Sequence, residues 1–326
     1  MLASGADDGR LIFWDSITGE EISHINKGEG RVWRLSFNAD GSRLAATGDS
    51  EAADVWDLTS GESILTVAGD GRTYSVAIGA DGETLVTSPV DGAVMFWDVE
   101  TGEILHSLEV SSDRGRSLVF SPDGTVLAAG GATDVLLVNP DSGEVIRRLE
   151  GHSAFVRRLD FNPDGSLLAS GSDGGTVIIW DAATGNRIRT LIGLPGQVKT
   201  LAFSPDGKHL AGGGRSSGYS AGVGGGVSPE VSMASAGSGG GTGTGRGGGT
   251  GGGSGSGGGT DVRVQDRTFT ISNSSIWDPA TGELLHGFGG VQGQIRSVAF
   301  SPDGTLIAAG DDEGVIRVWK FASLGL

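Results

Sequence analysis

A Trp-Asp pair closes a short apolar run at Trp14-Asp15, Trp56-Asp57, Trp97-Asp98, Trp180-Asp181 and Trp277-Asp278. Val138-Asn139 and Trp319-Lys320 hold the same place in altered form. Successive copies lie 42, 41, 41 and 42 residues apart, then 97, then 42. The outlier is one period plus an insertion, so a single unit is written seven times. A period near 42 residues means one supersecondary unit per repeat, too small to bury its own faces and therefore stacked on its neighbours. That periodicity overrides the two-domain expectation that 326 residues would otherwise carry.

Within one period, Phe155 to Leu191, the pattern is VRRLDF, a turn NPDG, SLLASGS, a turn, TVIIWD, a turn AATG, and RIRTLI. This reads as a four-stranded meander, whose strands we call a, b, c and d in chain order. Runs such as VIIW, VMFW and VLLV are apolar without alternation and too short for helices, which fits strands covered on both faces. The a-to-b turn recurs as NADG, GADG, SPDG, NPDG, SPDG and SPDG. The c-to-d turn recurs as SITGE, LTSGE, VETGE, PDSGE, AATGN and PATGE. Both place Gly where a left-handed backbone is needed.

The chain carries a net charge of −17, but half of its carboxylates are accounted for by turns: those of Asp-Gly, those after the repeat Trp, and those after a turn Gly. The acidity favours solubility and disfavours nonspecific nucleic-acid binding. With no cysteine, neither a disulfide framework nor a thiolate site can form. No stretch approaches the length of an apolar membrane span, and the N-terminus lacks a secretory pattern.

With six a-to-b turns and six c-to-d turns in register, the chain resembles the WD40-repeat β-propeller family over almost its whole length. The resemblance implies an all-β, seven-bladed propeller of four-stranded antiparallel blades around a central channel, strand a innermost and strand d outermost. It also implies a buried His, Ser or Thr, Asp and Trp set in each blade. Here that set is eroded: His152, Ser170 and Trp180 supply three members in the fifth blade, with Asp173 as a substitute for the displaced Asp. The first blade keeps Ser4, Asp8 and Trp14, and the third Thr87, Asp91 and Trp97. The SPDG turns resemble bacterial members and a cytoplasmic setting.

The repeat register leaves the first blade without strand a and the last without strand d. The expected source of both is a segment upstream of Met1, as in a longer polypeptide. Blades one to six run through residue 211. The stretch 212–259, half glycine, is expected to be an unpacked tether in the b-to-c loop of the sixth blade, and 260–326 completes the ring. Val262 to Ser272 alternates and reads as a short hairpin, although Val262 to Asp266 also resembles a strand c.

Aligning the starts of strand a sets Arg31 and Trp33 beside Arg72 and Tyr74, Arg114 and Arg116, Phe155 and Arg157, Gln197 and Lys199, and Gln294 and Arg296. Each of these six repeats places a cation there. By resemblance these positions ring the channel mouth, on the face bearing the d-to-a and b-to-c loops, where relatives bind peptides. A positive rim with aromatic anchors would attract an acidic or phosphorylated segment.

Catalytic readings lack support. The histidines His24, His106 and His286 fall in strands d of different blades, no zinc spacing occurs, and the glycine tract lacks a phosphate-loop lysine. Asp7-Asp8 and Asp311-Asp312-Glu313 read as solvated b-to-c turns. No cofactor or metal, nucleic acid or membrane is implied. The sequence therefore points to a non-catalytic protein-interaction scaffold, a monomeric propeller within a larger chain or complex. Its alternative is the sensor or regulatory tail of a signalling polypeptide, such as a kinase or nucleoside triphosphatase, with the catalytic part upstream.

Overall fold

The computed structural model describes residues 1–28, 30–68, 72–89, 93–109, 117–192, 194, 196–215, 230–233, 261–264, 267–270, 273–287 and 294–326. They form a seven-bladed β-propeller of antiparallel sheets, with a single 3-10 turn at Phe321–Leu324. Among them, no helix is long and apolar enough to cross a membrane.

The fifth blade shows how sequence dictates position. Its strands a to d are Val156–Phe161, Leu167–Ser172, Val177–Asp181 and Arg187–Leu191, paired in that order. Strands b and c are buried almost throughout, whereas in strand d only Leu191 is buried. The unbroken apolar runs thus lie where a neighbouring blade covers each face. The Asp after the repeat Trp caps its turn: Asp57 Oδ1 accepts the N–H groups of Thr59 and Ser60, both at 2.8 Å. The N–H donors hold Asp15, Asp57, Asp98 and Asp181 below the usual carboxylate range. Asn139 keeps the device in the fourth blade, since its Oδ1 accepts from Asp141 and Ser142.

The core consists of layers between adjacent blades. One layer joins Ala128, Val135 and Leu137 of the fourth blade to Val156, Leu159, Phe161, Leu168, Ile178 and Trp180 of the fifth. Truncating a buried leucine such as Leu168 to Ala would cost about 2–5 kcal/mol. Close approach needs small residues at the ends of strand b: a Cβ on Gly171 would lie 2.4 Å from Val198 Cγ1, and one on Gly213 2.5 Å from Ile295 Cγ2. Gly212 to Gly214, counted as tether from the sequence, therefore belong to a packed strand b, Leu210–Gly214.

Ring closure differs from the sequence expectation. The first blade contributes Leu2–Gly5, Arg10–Trp14 and Glu21–Asn26 from contiguous chain. Its inner slot is filled by Glu230–Met233, from within the glycine-rich insertion, paired antiparallel with Leu2–Gly5. This strand lies between the inner strands of the seventh and second blades, Ile295–Phe300 and Val32–Phe37. The insertion is therefore not wholly unpacked. The inner strand expected from upstream is supplied from downstream, which composition alone concealed. The seventh blade has three strands, Ile295–Phe300, Leu306–Asp311 and Ile316–Lys320. Asp261–Val264 and Arg267–Thr270 pair as a separate hairpin, so the competing strand c reading of Val262 to Asp266 falls. The remainder of the insertion lies outside the described residues.

Candidate functional site: the channel and its rim

The inner strands of six blades, second to seventh, line one cavity of about 480 Å³. The channel edge of an inner strand carries backbone N–H groups that no further strand can accept. The preceding blade supplies the acceptors. Ser36 Oγ takes the N–H of Ile78 (3.2 Å), Ser75 that of Leu118 (3.1 Å), and Ser117 that of Leu159 (3.1 Å). Asp160 Oδ2 takes the N–H of Phe203 (2.6 Å), and Thr200 Oγ1 that of Val298 (2.9 Å). These bonds stitch the second to seventh blades in succession along the channel wall. Burial there pushes the Asp160 carboxyl up to about 7, against the opposing pull of the Phe203 N–H and the Arg158 charge. Arg34 and Arg158 also line the cavity. Neither Asp160 nor these arginines were singled out from sequence, although the alignment that placed Trp33 and Arg157 sets Arg34 and Arg158 one residue on.

The rim has a backbone cause. Pairing of strand a with strand b skips one residue in five blades: from Val32 to Arg34, Thr73 to Ser75, Val156 to Arg158, Val198 to Thr200 and Ile295 to Ser297. The bulged residues are Trp33, Tyr74, Arg157, Lys199 and Arg296, five of the positions singled out by alignment. A bulge adds an unpaired residue and re-aims its side chain, which makes a repeated bulge a way to present side chains at a sheet end.

The structure brings some of these residues together. Trp33 and Tyr74 stack with ring centroids 5.0 Å apart, and the Arg72 guanidinium sits over the Trp33 ring at 5.9 Å. Such a cation over an aromatic face contributes about 0.5–1 kcal/mol when exposed. Arg31 is tied to Asp49, its Nε donating to Oδ2 at 3.2 Å. Arg157 pairs with Asp173. The b-to-c turns thus supply aspartates that offset part of the rim charge, so the rim is not a uniform positive ring. Gln294 repeats the geometry through its backbone, its N–H donating to Asp312 Oδ1 at 2.7 Å. Phe155 and Lys199 are half-buried. Arg296 Nε is buried without a hydrogen-bond partner among the described residues. Arg114 and Arg116 lie outside the described residues.

The structural set is realised with one exchange. His152 Nε2 meets Ser170 Oγ at 2.6 Å and Trp180 Nε1 donates to the same oxygen at 2.7 Å. Thr176 Oγ1 sits at His152 Nδ1 (3.0 Å), in the place expected for Asp173, which turns to Arg157 instead. Gly174 leaves the usual Asp position of this turn without a side chain, while Gly175 keeps the positive φ (79°) that Gly9 and Gly314 show in the matching turns. Burial drops His152 to about 4, so the ring is neutral. Trp14 donates to Ser4 (2.7 Å) and Trp97 to Thr87 (2.9 Å). Asp8 pairs with Arg10 on the surface, and Asp91 is outside the described residues.

Asp311, expected from the sequence to sit in a solvated turn, faces inward. It is fully buried, pairs with Arg317, and caps its turn by accepting from Glu313 and Val315. His106 Nε2 lies 2.6 Å from the Asp141 carbonyl oxygen of the next blade, and His24 pairs with Glu21. Among the described residues, no three or more His, Cys, Asp or Glu side chains are grouped to hold a metal ion.

The WD40 family model, described as WD domain, G-beta repeat, matches residues 143–181, 185–218 and 282–320. The chain is similar to WD repeat-containing protein 1 of Xenopus tropicalis, at 26% identity over 68 residues, 20% of this chain and 11% of that protein. It is also similar to the serine-threonine kinase receptor-associated protein of Gallus gallus, at 46% identity over 44 residues, 14% of this chain and 13% of that protein. The matched stretches thus span little more than a tenth of each relative.

Proposed function

Because this chain belongs to the WD40-repeat family, whose propellers are in general non-catalytic protein-interaction scaffolds, we propose that it binds a peptide or partner domain at the channel mouth. The observation that carries this reading is the bulged rim with its Arg72, Trp33 and Tyr74 stack. Rigid aromatic rings bury large area at low entropic cost, and an arginine held over one of them is prepositioned for a carboxylate or phosphate. Lys199 and Arg296, at the matching bulges of the sixth and seventh blades, extend the contact. Arg31 and Arg157, already tied to aspartates, act mainly as struts for the rim. An acidic or phosphorylated segment is the ligand whose charge this arrangement suits.

The test is binding of acidic and phosphorylated peptide pools to the full chain, compared with a Trp33→Ala, Arg72→Ala variant and with Arg31, Arg114 and Arg157 changed together to Ala. Loss of at least about tenfold in affinity in the first variant, with affinity falling as salt rises, supports the reading. Binding that ignores salt, or survives both variants, refutes it.

A further inference from the structure

Four residues of the insertion sit in the ring at a register that makes sense of their sequence. Glu230 lies opposite Gly5, Val231 opposite Ser4, Ser232 opposite Ala3 and Met233 opposite Leu2. Leu2 occupies in its strand b the place of Leu44 in the second blade, where Leu44 faces Phe37. On that alignment Val231 takes the position of Leu35, Val76, Leu118, Leu159, Leu201 and Val298. Met233 takes that of Phe37, Ile78, Phe120, Phe161, Phe203 and Phe300. Ser232 falls with Ser36 and Ala77, and Glu230 with the polar Arg34 and Ser75. The segment therefore carries the inner-strand pattern: polar, Val or Leu, a variable position, then a large apolar residue. The sequence after it, Ala-Ser-Ala-Gly, sets Gly237 four residues beyond Met233, as Gly41 follows Phe37 in the a-to-b turn.

We propose that the inner edge of Leu2–Gly5 is a strand-binding site, that Glu230–Met233 is its built-in ligand, and that the glycine-rich insertion serves to deliver this ligand across the ring. The site takes an extended peptide by strand addition, with main-chain hydrogen bonds giving affinity and the inner-strand sequence pattern giving selectivity. Fifteen residues, 215–229, join Gly214 to the strand. Extended, they would reach up to about 50 Å. Closure by a segment tethered in this way depends on effective concentration rather than on a continuous meander, so the slot is open to exchange with the same sequence supplied free.

The chain has no cysteine, which gives a clean test. In the full chain, Ala3→Cys with Ser232→Cys places two thiols directly opposite across the antiparallel pair. Oxidation is expected to give an intramolecular disulfide in the monomer, whereas Ala3→Cys with Ser166→Cys, whose second site lies in the fifth blade, is not expected to close. Failure to cross-link, equal cross-linking of both pairs, or a covalent dimer instead would overturn the assignment. In a second variant, Val231→Asp with Met233→Asp, the thermal midpoint is expected to fall by several degrees. A free peptide covering 228–237 is expected to restore it, and the same peptide carrying the two Asp changes is not. Rescue by both peptides or by neither would overturn the exchangeable site. If that variant does not fold, competition of the free peptide against cross-linking of the Ala3→Cys, Ser232→Cys chain decides the same point: reduced disulfide yield supports exchange, and unchanged yield refutes it.

Discussion

Replacing Ser170 by Ala probes the hydrogen-bonded set that remains in the fifth blade. Ser170 is fully buried, and its hydroxyl meets both the Trp180 indole N–H and His152 Nε2 at 2.7 and 2.6 Å. Its loss strands a buried indole donor and one imidazole nitrogen. An orphaned buried polar group costs about 1–3 kcal/mol, so the pair amounts to about 2–4 kcal/mol after partial relaxation. The matching change in the first blade, Ser4→Ala, removes the same bond from Trp14, but that ring is only half-buried. Water can replace the acceptor there, and the cost should be about 1 kcal/mol or less. Urea unfolding of the full chain followed by tryptophan fluorescence measures both, and a cycle with His152→Ala separates the imidazole from the indole contribution. A Ser170→Ala cost no larger than that of Ser4→Ala would refute the reasoning.

Other outcomes follow from the same structure. Burial lowers His152 from 6.5 to about 4, so the unfolded chain takes up the proton first. The contribution of neutral His152 is complete above pH 6.5 and is lost as pH falls toward 4, with about 2 kcal/mol gone at pH 5. His152→Gln should flatten that part of a stability-against-pH curve. Asp160 has the opposite sign: raised to about 7, it favours the folded state most below pH 3.8 and progressively less as pH rises to 7. Asp160→Asn, which keeps an oxygen for the Phe203 N–H, should therefore gain up to about 4 kcal/mol over the parent between those values and stay level above them. Gly171→Ala, pressing a Cβ into Val198, should cost about 1–3 kcal/mol in denaturant unfolding.

Legibility followed the reach of each interaction. Turns and strands were readable because their causes are local: Asp caps two or three residues away, glycines at positive φ, apolar runs covered on both faces. The equivalence of the strand a starts was readable, but not which of their cations are paired. Asp49 and Asp173 approach Arg31 and Arg157 from 18 and 16 residues away, across a turn whose direction the sequence does not state. Asp311 read as solvent-facing because its partner Arg317 stands on the following strand. Thr176, not Asp173, meets His152, because Asp173 is drawn to Arg157, a partner from a different strand. The closing strand was hidden for a different reason: four ordinary residues inside a tract that is half glycine carry almost no compositional signal, and their partner lies more than 220 residues away.

Amide hydrogen exchange at the inner edge of Leu2–Gly5 tests ring closure most directly, comparing the full chain with one in which Glu230–Met233 is replaced by Gly-Ser-Gly-Ser. A ring closed by its own insertion predicts slow exchange at that edge in the full chain and exchange near solvent rates in the variant, with the fifth blade's inner strand unchanged in both. Equal exchange at Leu2–Gly5 in the two chains would contradict the account.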